Sequence, residues 1–307
     1  MTLRATFLGT SGAVPTTERN PSAVFVNREG ESLLFDCGEG TQRQMMRYGT
    51  GFGVSAVFLT HIHGDHVFGL PGLLQTWGFQ DRTDPLAVYT PRGTRSDVTT
   101  LITACGGDLP YPVHVTEVAA GETAYEGADY DVVTFATDHR TRSVGYALIE
   151  DQRKGRFRRE RAEELGVPPG PAFGRLHEGE TVELDDGTVV EPDQVVGPAR
   201  RGRRVVYTGD TGPTDSVVDA AAQADLLVHD ATFAESEVDR ARETGHATAR
   251  EAGEIAQQAG VRRLALTHVS PRYAGDASVL AAEAREAFDG DVVLARDGLE
   301  VEVPLPD

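Results

Sequence analysis

The sequence predicts an α/β fold of stacked sheets and helices, and three observations carry that prediction. Beyond residue 203, short apolar strands alternate with amphipathic helices. Five apolar strands each run into a residue that can bind a metal: His61, His139, Asp210, His229 and His268. In layered α/β folds, sites gather where loops converge at the ends of adjacent strands. Between these two patterns, residues 152–203 lose all periodicity.

Taken in order, Thr6–Thr10 and Ala23–Val26 read as strands around a Gly/Pro/Thr-rich loop. Ser32–Phe35 is a third, broken by Asp36-Cys37-Gly38-Glu39-Gly40, with Thr41 placed to cap a helix through Met46. Ala56–Thr60 is a buried strand that stops at His61-Ile62-His63-Gly64-Asp65-His66, where Gly64 suits a tight corner. A helix opens at Gly69-Leu70-Pro71 with proline in its first turn. Another spans Arg92–Ala104 and ends at Gly106-Gly107. Tyr130–Ala136 is a strand leading to His139, Val205–Tyr207 leads to Asp210, Leu226–Val228 to His229, and Leu264–Thr267 to His268. Thr248 and Glu251 form a capping box for a helix that stops at Gly260. Asp276–Phe288 is the last helix and Val292–Leu294 the last strand. The segment 152–203, with Pro168-Pro169-Gly170-Pro171, is too long for an ordinary loop, so it is either a functional excursion or a disordered insert.

At 307 residues and a mean hydropathy of -0.30, the chain suits one large domain or two small ones. No apolar run reaches the ~20 residues a membrane span needs, and the start lacks a signal-peptide pattern. Cys37 and Cys105 make no disulfide framework, so a cytoplasmic setting is expected. Forty-eight acidic residues oppose 29 basic ones, Lys154 is the only lysine, and the net charge is -19. Such a surface suits a cytoplasm of high salt, although a GC-rich genome would also trade lysine for arginine. The sum argues against nucleic acid as a partner. The distribution argues the other way: Arg153, Lys154, Arg156, Arg158, Arg159 and Arg161 form one basic cluster, and Arg200, Arg201, Arg203 and Arg204 another.

Three imidazoles and a carboxylate within residues 61–66 mark a metal site. Imidazoles with carboxylates and no cysteine pair favour zinc, and manganese or iron also suit them. His61, His63, Asp65, His66, His139, Asp210 and His268 exceed what one zinc takes, so two ions sharing a carboxylate are expected. A pair about 3.5–4 Å apart can hold a hydroxide between them and clamp a displacement at phosphorus. His114 and His177 match no such pattern and read as ordinary histidines.

HIHGDH with single metal residues after successive strands resembles the metallo-β-lactamase superfamily. That implies an αβ/βα sandwich of two mixed sheets flanked by helices. FLGTSGAVP, FDCGEGTQRQ, GLPGLL, PPGPAFG, VVYTGDT, LLVHDATF, GHATAREA and LALTHVSPRY narrow it, over essentially the whole chain, to a resemblance to the ribonuclease Z family in its short form. The family cuts the 3′ trailer from precursor tRNA and leaves a 3′-hydroxyl. The resemblance implies His61, His63 and His139 on one zinc, Asp65, His66 and His268 on the other, and Asp210 bridging. It makes Asp65 the general base, and His246, partnered by Asp230, the group that serves the departing ribose 3′-oxygen. It also makes 152–203 a protruding arm, an exosite inserted in a single catalytic domain of 1–307. Arg153, Lys154, Arg156, Arg158, Arg159, Gly170 and Pro171 would contact tRNA there, and Arg19 and Asn20 at the substrate end. A homodimer and no DNA or membrane partner are expected.

Two positions depart from the family pattern. Asp230 stands where glutamate is usual, which predicts a looser hold on His246. Thr17 replaces a usual lysine, which bears on discrimination against tRNA already ending in CCA. The alternative is a small-molecule hydrolase of the same fold, such as an arylsulfatase, phosphodiesterase or lactonase. An RNA-binding protein with structural metal is a third reading, disfavoured because structural zinc needs neither a second ion nor an open position.

Overall fold

A computed structural model describes residues 2–104 and 108–306; Cys105 and the expected helix stop at Gly106-Gly107 lie outside them. The chain forms two compact units, Met1–Ile149 with Arg203–Pro304, and Glu150–Gly202 with Leu305–Asp307.

In the larger unit, one sheet contains β1 (Leu3–Gly9), β2 (Ala23–Arg28), β3 (Glu31–Phe35), β4 (Ala56–Phe58), β5 (Leu86–Pro91) and β6 (Val113–Val118). The second begins with β7 (Thr123–Glu126), β8 (Tyr130–Ala136) and β9 (Val144–Glu150). Two short strands, β10 (Val182–Glu183) and β11 (Val189–Val190), belong to the smaller unit. The second sheet resumes with β12 (Arg204–Tyr207), β13 (Leu226–Asp230), β14 (Arg263–Thr267) and β15 (Asp291–Leu294), and β16 (Glu300–Glu302) returns to the first. The orders are β16-β1-β2-β3-β4-β5-β6 and β15-β14-β13-β12-β9-β8-β7. Both sheets are mixed: β3 through β6 and β12 through β15 run parallel, while β1–β2, β2–β3 and β9–β12 pair antiparallel.

Alternation along the strands builds the layers, because successive side chains point to opposite faces. Phe7, Val24, Val26, Leu33, Phe35 and Phe58 from one sheet meet Tyr146, Leu148, Val205, Tyr207, Leu226 and Val228 from the other. The intervening residues Leu8, Phe25, Leu34 and Val57 face α1 (Thr41–Tyr48), the single turn α2 (Gly64–Val67), α3 (Leu70–Phe79) and α4 (Arg95–Ala104). Behind the second sheet, Val206, Leu227, Leu264 and Leu266 meet α8 (Asp215–Ala220), α10 (Ala249–Ala259) and α11 (Ser278–Ala287). The larger unit is thus helix on sheet on sheet on helix. The remaining helices are α5 (Arg159–Glu164), α6 (Pro171–Glu178), α7 (Pro192–Val195) and α9 (Val238–Thr244).

Local expectations divide by mechanism. The Thr248/Glu251 capping box is present, each side chain bonding the other's backbone N–H. Thr41 is not a cap: Gly40 takes that place at φ 79°, and the Thr41 hydroxyl donates to the Gly38 carbonyl instead. Gly64 opens α2, and the corner is as tight as expected: a β-carbon there would lie 2.2 Å from the Phe68 ring. In the larger unit, strands β5, β6, β7, β9 and β16 were not expected from the sequence. In β6 alternate positions are exposed, and β9 holds Gly145, whose missing β-carbon makes room for the Phe135 ring.

The smaller unit is folded, which removes the disordered-insert alternative. Ala162, Val167, Leu176, Val182, Val190 and Val195 make its own small core, and Phe157 packs against Phe173 with ring centres 4.9 Å apart and the rings tilted by 44°. Its core residues are spaced by prolines and glycines rather than by a helical or strand period, which is why no periodicity survives in its sequence. A bridge closes its base, Arg153 N–H to the Arg200 carbonyl at 2.7 Å and Arg200 N–H back at 2.8 Å.

Candidate metal centre

Four loops at the carboxyl ends of β4, β8, β12 and β14 place the expected ligands in two sets around one carboxylate. The loop after β12 turns at Gly209, φ 59°, where a β-carbon would lie 2.6 Å from the Thr60 side chain, and so delivers Asp210. One Asp210 oxygen, Oδ2, lies 3.5 Å from His61 Nε2 and 3.9 Å from His139 Nε2. His63 Nδ1 completes that set, 3.0 Å from His61 Nε2 and 3.3 Å from His139 Nε2. The other oxygen, Oδ1, lies 3.2 Å from both His66 Nε2 and His268 Nε2. Asp65 Oδ2 joins them at 3.3 Å from His268 Nε2 and 3.6 Å from His66 Nε2.

These spacings fit divalent ions. With bonds of about 2.0–2.1 Å, the corners of a tetrahedron sit roughly 3.3 Å apart. His66 Nε2 and Asp210 Oδ1 are buried with no hydrogen-bond partner, an unsatisfied state that bound cations would relieve. Against burial, which lowers it, Asp210 and Asp36 lift the His66 imidazole well above its ordinary value. That demand for positive charge is one an ion meets in place of the proton. Burial pushes His61 well below its ordinary value, as a neutral donor requires.

The outward nitrogens are fixed by partners that leave the inward ones bare. His139 Nδ1–H donates to the Gly245 carbonyl at 2.7 Å, His66 Nδ1–H to Asp36 at 2.7 Å, and His268 Nδ1–H to the Thr232 hydroxyl at 2.8 Å. His268 itself sits at φ 59°, a costly conformation for a side chain with a β-carbon, and Gly12 makes room for its ring. Asp36 also accepts the Thr60 N–H at 2.7 Å, the Thr60 hydroxyl at 2.8 Å and the Tyr207 hydroxyl at 2.8 Å. Neither Asp36 nor Thr232 stood out in the sequence, since each holds the outward nitrogen of a histidine distant along the chain, a pairing that only the fold makes. Asp36→Asn should weaken divalent-ion binding about 10–100-fold, read by competition with a chelating dye, because its amide cannot accept from all these donors.

Beside the second set, His246 Nδ1–H donates to Asp230 Oδ2 at 2.7 Å, and the same nitrogen lies 4.0 Å from Asp210 Oδ2. Asp230 Oδ1 accepts the Thr232 hydroxyl at 2.6 Å, which links this pair to His268. Burial lowers His246, but the Asp230 charge and its hydrogen bond, with Asp210 behind, overcome it and lift the imidazole to about 9. A cleft of about 460 Å³ opens onto His63, Asp65, His139, Asp210, His246 and His268.

His229 does not join the cluster. In β13, Leu226 and Val228 face the inter-sheet core and Asp230 the cleft, so His229 points with Leu227 to the other side. Its strand-end position misled because one residue of register reverses the face. Arg19 and Asn20 brace the loop after β1: Arg19 Nη1 donates to Thr10 at 2.7 Å and to the Ala295 carbonyl at 2.6 Å, and Asn20 Nδ2 to the Glu39 carbonyl at 3.0 Å. In the smaller unit Lys154 pairs with Glu178, Arg159 with Glu163 at 2.8 Å and Arg161 with Glu164 at 3.0 Å. Gly170 is the residue before α6, and Pro171 its first. His177 bonds the Gly155 carbonyl at 3.0 Å and His114 is an exposed residue of β6.

The metallo-beta-lactamase superfamily model matches residues 16–306. A Ribonuclease Z of Halobacterium salinarum is 64% identical over 307 residues, covering 100% of this chain and 99% of the relative. One from Methanosarcina acetivorans is 50% identical, covering 98% of each. The chain belongs to the ribonuclease Z family. Among solved structures, human tRNase Z, short form, is similar with a TM-score of 0.70 and 28% identity, covering 98% of this chain and 99% of that one. Halophilic members of the ribonuclease Z family are thus among its relatives, in accord with the acidic, lysine-poor composition. The cluster is a divalent-metal site of that fold. The departure from the family's glutamate does not loosen the His246 contact. Asp230 ends β13 on the cleft face and reaches Nδ1 at full hydrogen-bonding distance, held by the Thr232 N–H and hydroxyl.

Proposed function

We propose that this protein is the endoribonuclease that removes the 3′ trailer from precursor tRNA, leaving a 3′-hydroxyl, with two zinc ions per subunit. The observation that carries it is the shared Asp210 between two donor sets with the His246–Asp230 pair at its side, in a chain of the ribonuclease Z family. His61, His63 and His139 would hold one ion, Asp65, His66 and His268 the other, and Asp210 both; manganese or iron would fit the same donors. When bound, such a pair activates water and neutralises charge at the phosphorus.

The chain's own residues supply the rest. Asp65 keeps one oxygen within the second set while the Ala13 N–H donates to it at 2.8 Å, which fixes the carboxylate that orients the attacking oxygen. Asp230 holds the proton on His246 Nδ1, so the imidazolium presents Nε2–H to the cleft. A ribose 3′-oxygen leaves poorly as an alkoxide, and that proton converts it to a hydroxyl as the bond to phosphorus breaks.

The smaller unit serves as the tRNA-gripping arm. Lys154, Arg159 and Arg161 are held in exposed ion pairs that water screens, so phosphate can displace the carboxylates at little cost. Incubation of the zinc-loaded protein with a trailer-bearing pre-tRNA tests the whole reading; no cleavage in any salt, with zinc or manganese, would sink it. Excising 155–198 and joining the ends of the Arg153–Arg200 bridge should lower pre-tRNA cleavage at least 100-fold, roughly the worth of a few phosphate contacts, and spare a small phosphodiester. Equal losses on both would remove the arm from recognition. A cytoplasmic homodimer is part of the proposal, supported by the exposed Met46 and Phe79 on the neighbouring helices α1 and α3. Met46→Ser with Phe79→Ser should then sediment as a monomer.

A further inference from the structure

The cleft before the metal cluster reverses the charge of the chain. Its lining holds only two carboxylates, Asp65 and Asp210, both within the cluster, yet three arginines, Arg140, Arg240 and Arg272. In a protein with 48 acidic and 29 basic residues, that wall is selected for an anion. Arg272 is engaged, donating to Glu237 at 3.0 Å. Arg140 gives one Nη1–H to the Glu243 carbonyl at 3.0 Å, which leaves most of its five donors open to the cleft. Arg240 is exposed on α9 and pairs with no carboxylate among the described residues.

Both lie on the His246 side. Helix α9 carries Arg240 and ends at Gly245, directly before His246, whose N–H donates to the Ala241 carbonyl at 2.9 Å. The same turn is stapled to the loop of Arg140, since the Gly245 carbonyl takes the His139 Nδ1–H at 2.7 Å. Gly12, Ala13, Val14 and Ser270 complete the lining.

We propose that Arg140 and Arg240 clamp the phosphate one nucleotide upstream of the bond that is cut, on the tRNA side. The inference rests on the function proposed above. His246 serves the leaving 3′-oxygen, so the nucleotide bearing that oxygen lies on its side, and that nucleotide's own 5′-phosphate is the next anion along the chain. Guanidinium forks suit it. A small phosphodiester has no second phosphate, so the clamp selects a polynucleotide and sets its register.

The test compares Arg140→Ala, Arg240→Ala and the double variant on trailer-bearing pre-tRNA and on bis(p-nitrophenyl) phosphate. We expect kcat/KM on pre-tRNA to fall about tenfold or more per arginine, mainly through KM, with the small diester turned over as before. Arg140→Lys, which keeps charge without the fork, should recover part of the loss. A pre-tRNA carrying a neutral methylphosphonate at the upstream position should slow the unmodified enzyme by the same factor and leave the double variant unaffected. Coupling to the phosphate on the trailer side instead, equal losses on both substrates, or normal variants beside a cleaving wild type would each overturn the clamp alone. A wild type that leaves pre-tRNA intact would overturn the function with it.

Discussion

Asp210→Asn should bind one divalent ion tightly in place of the two proposed for the unmodified chain. Each Asp210 oxygen stands in a different donor set, Oδ2 with His61 and His139, Oδ1 with His66 and His268. An amide offers one acceptor oxygen and an NH2 without a lone pair, so whichever way it turns, one set loses its fourth ligand. Losing one ion of a pair costs several kcal/mol of transition-state stabilisation, so cleavage should fall about 10³-fold or more. Metal content after gel filtration, measured by plasma mass spectrometry beside the rate, checks both halves. Two equivalents retained at unchanged affinity would show that Asp210 does not bridge.

His246→Ala should produce a loss that depends on the leaving group. On pre-tRNA the fall should be about 10²–10⁴-fold, the usual worth of a positioned proton donor. On bis(p-nitrophenyl) phosphate it should be slight, because nitrophenolate leaves without a proton. The pH profile carries the same signature. Asp230 helps lift His246 to about 9, so its proton is present at neutral pH and lost on the alkaline side. Bound cations oppose the imidazolium, which puts the alkaline fall in rate below that value. Asp230→Asn removes the charge that raises it, so the fall should move to lower pH still. A profile unmoved by that substitution would take the proton-donor role from His246.

What was legible in the sequence follows from how locally each feature is encoded. The Thr248 cap needs only residues three apart, and the cluster at 61–66 is contiguous, so both could be read directly. Strands buried on both faces, whose apolar residues run together, were visible; edge strand β6, with alternate positions exposed, and the glycine-bearing β9 were not. Thr41 failed as a cap because Gly40 and the turn at Gly38 set the entry to α1 before propensity could decide it.

By itself, the sequence determined the metal-binding character, the ligand types and the layered class, because those depend on residue chemistry and short-range spacing. Only the tertiary structure decided which strand-end residues share a face, and there His229 separated from Asp230 by a single step of register. It also decided that Asp36, about thirty residues from His66 in sequence, aims that ring, and that the positive wall of the cleft comes from Arg140 and Arg240. Arg140 lies in the loop after β8 and Arg240 on α9, far apart along the chain, and strand pairing in the second sheet brings both to the cleft.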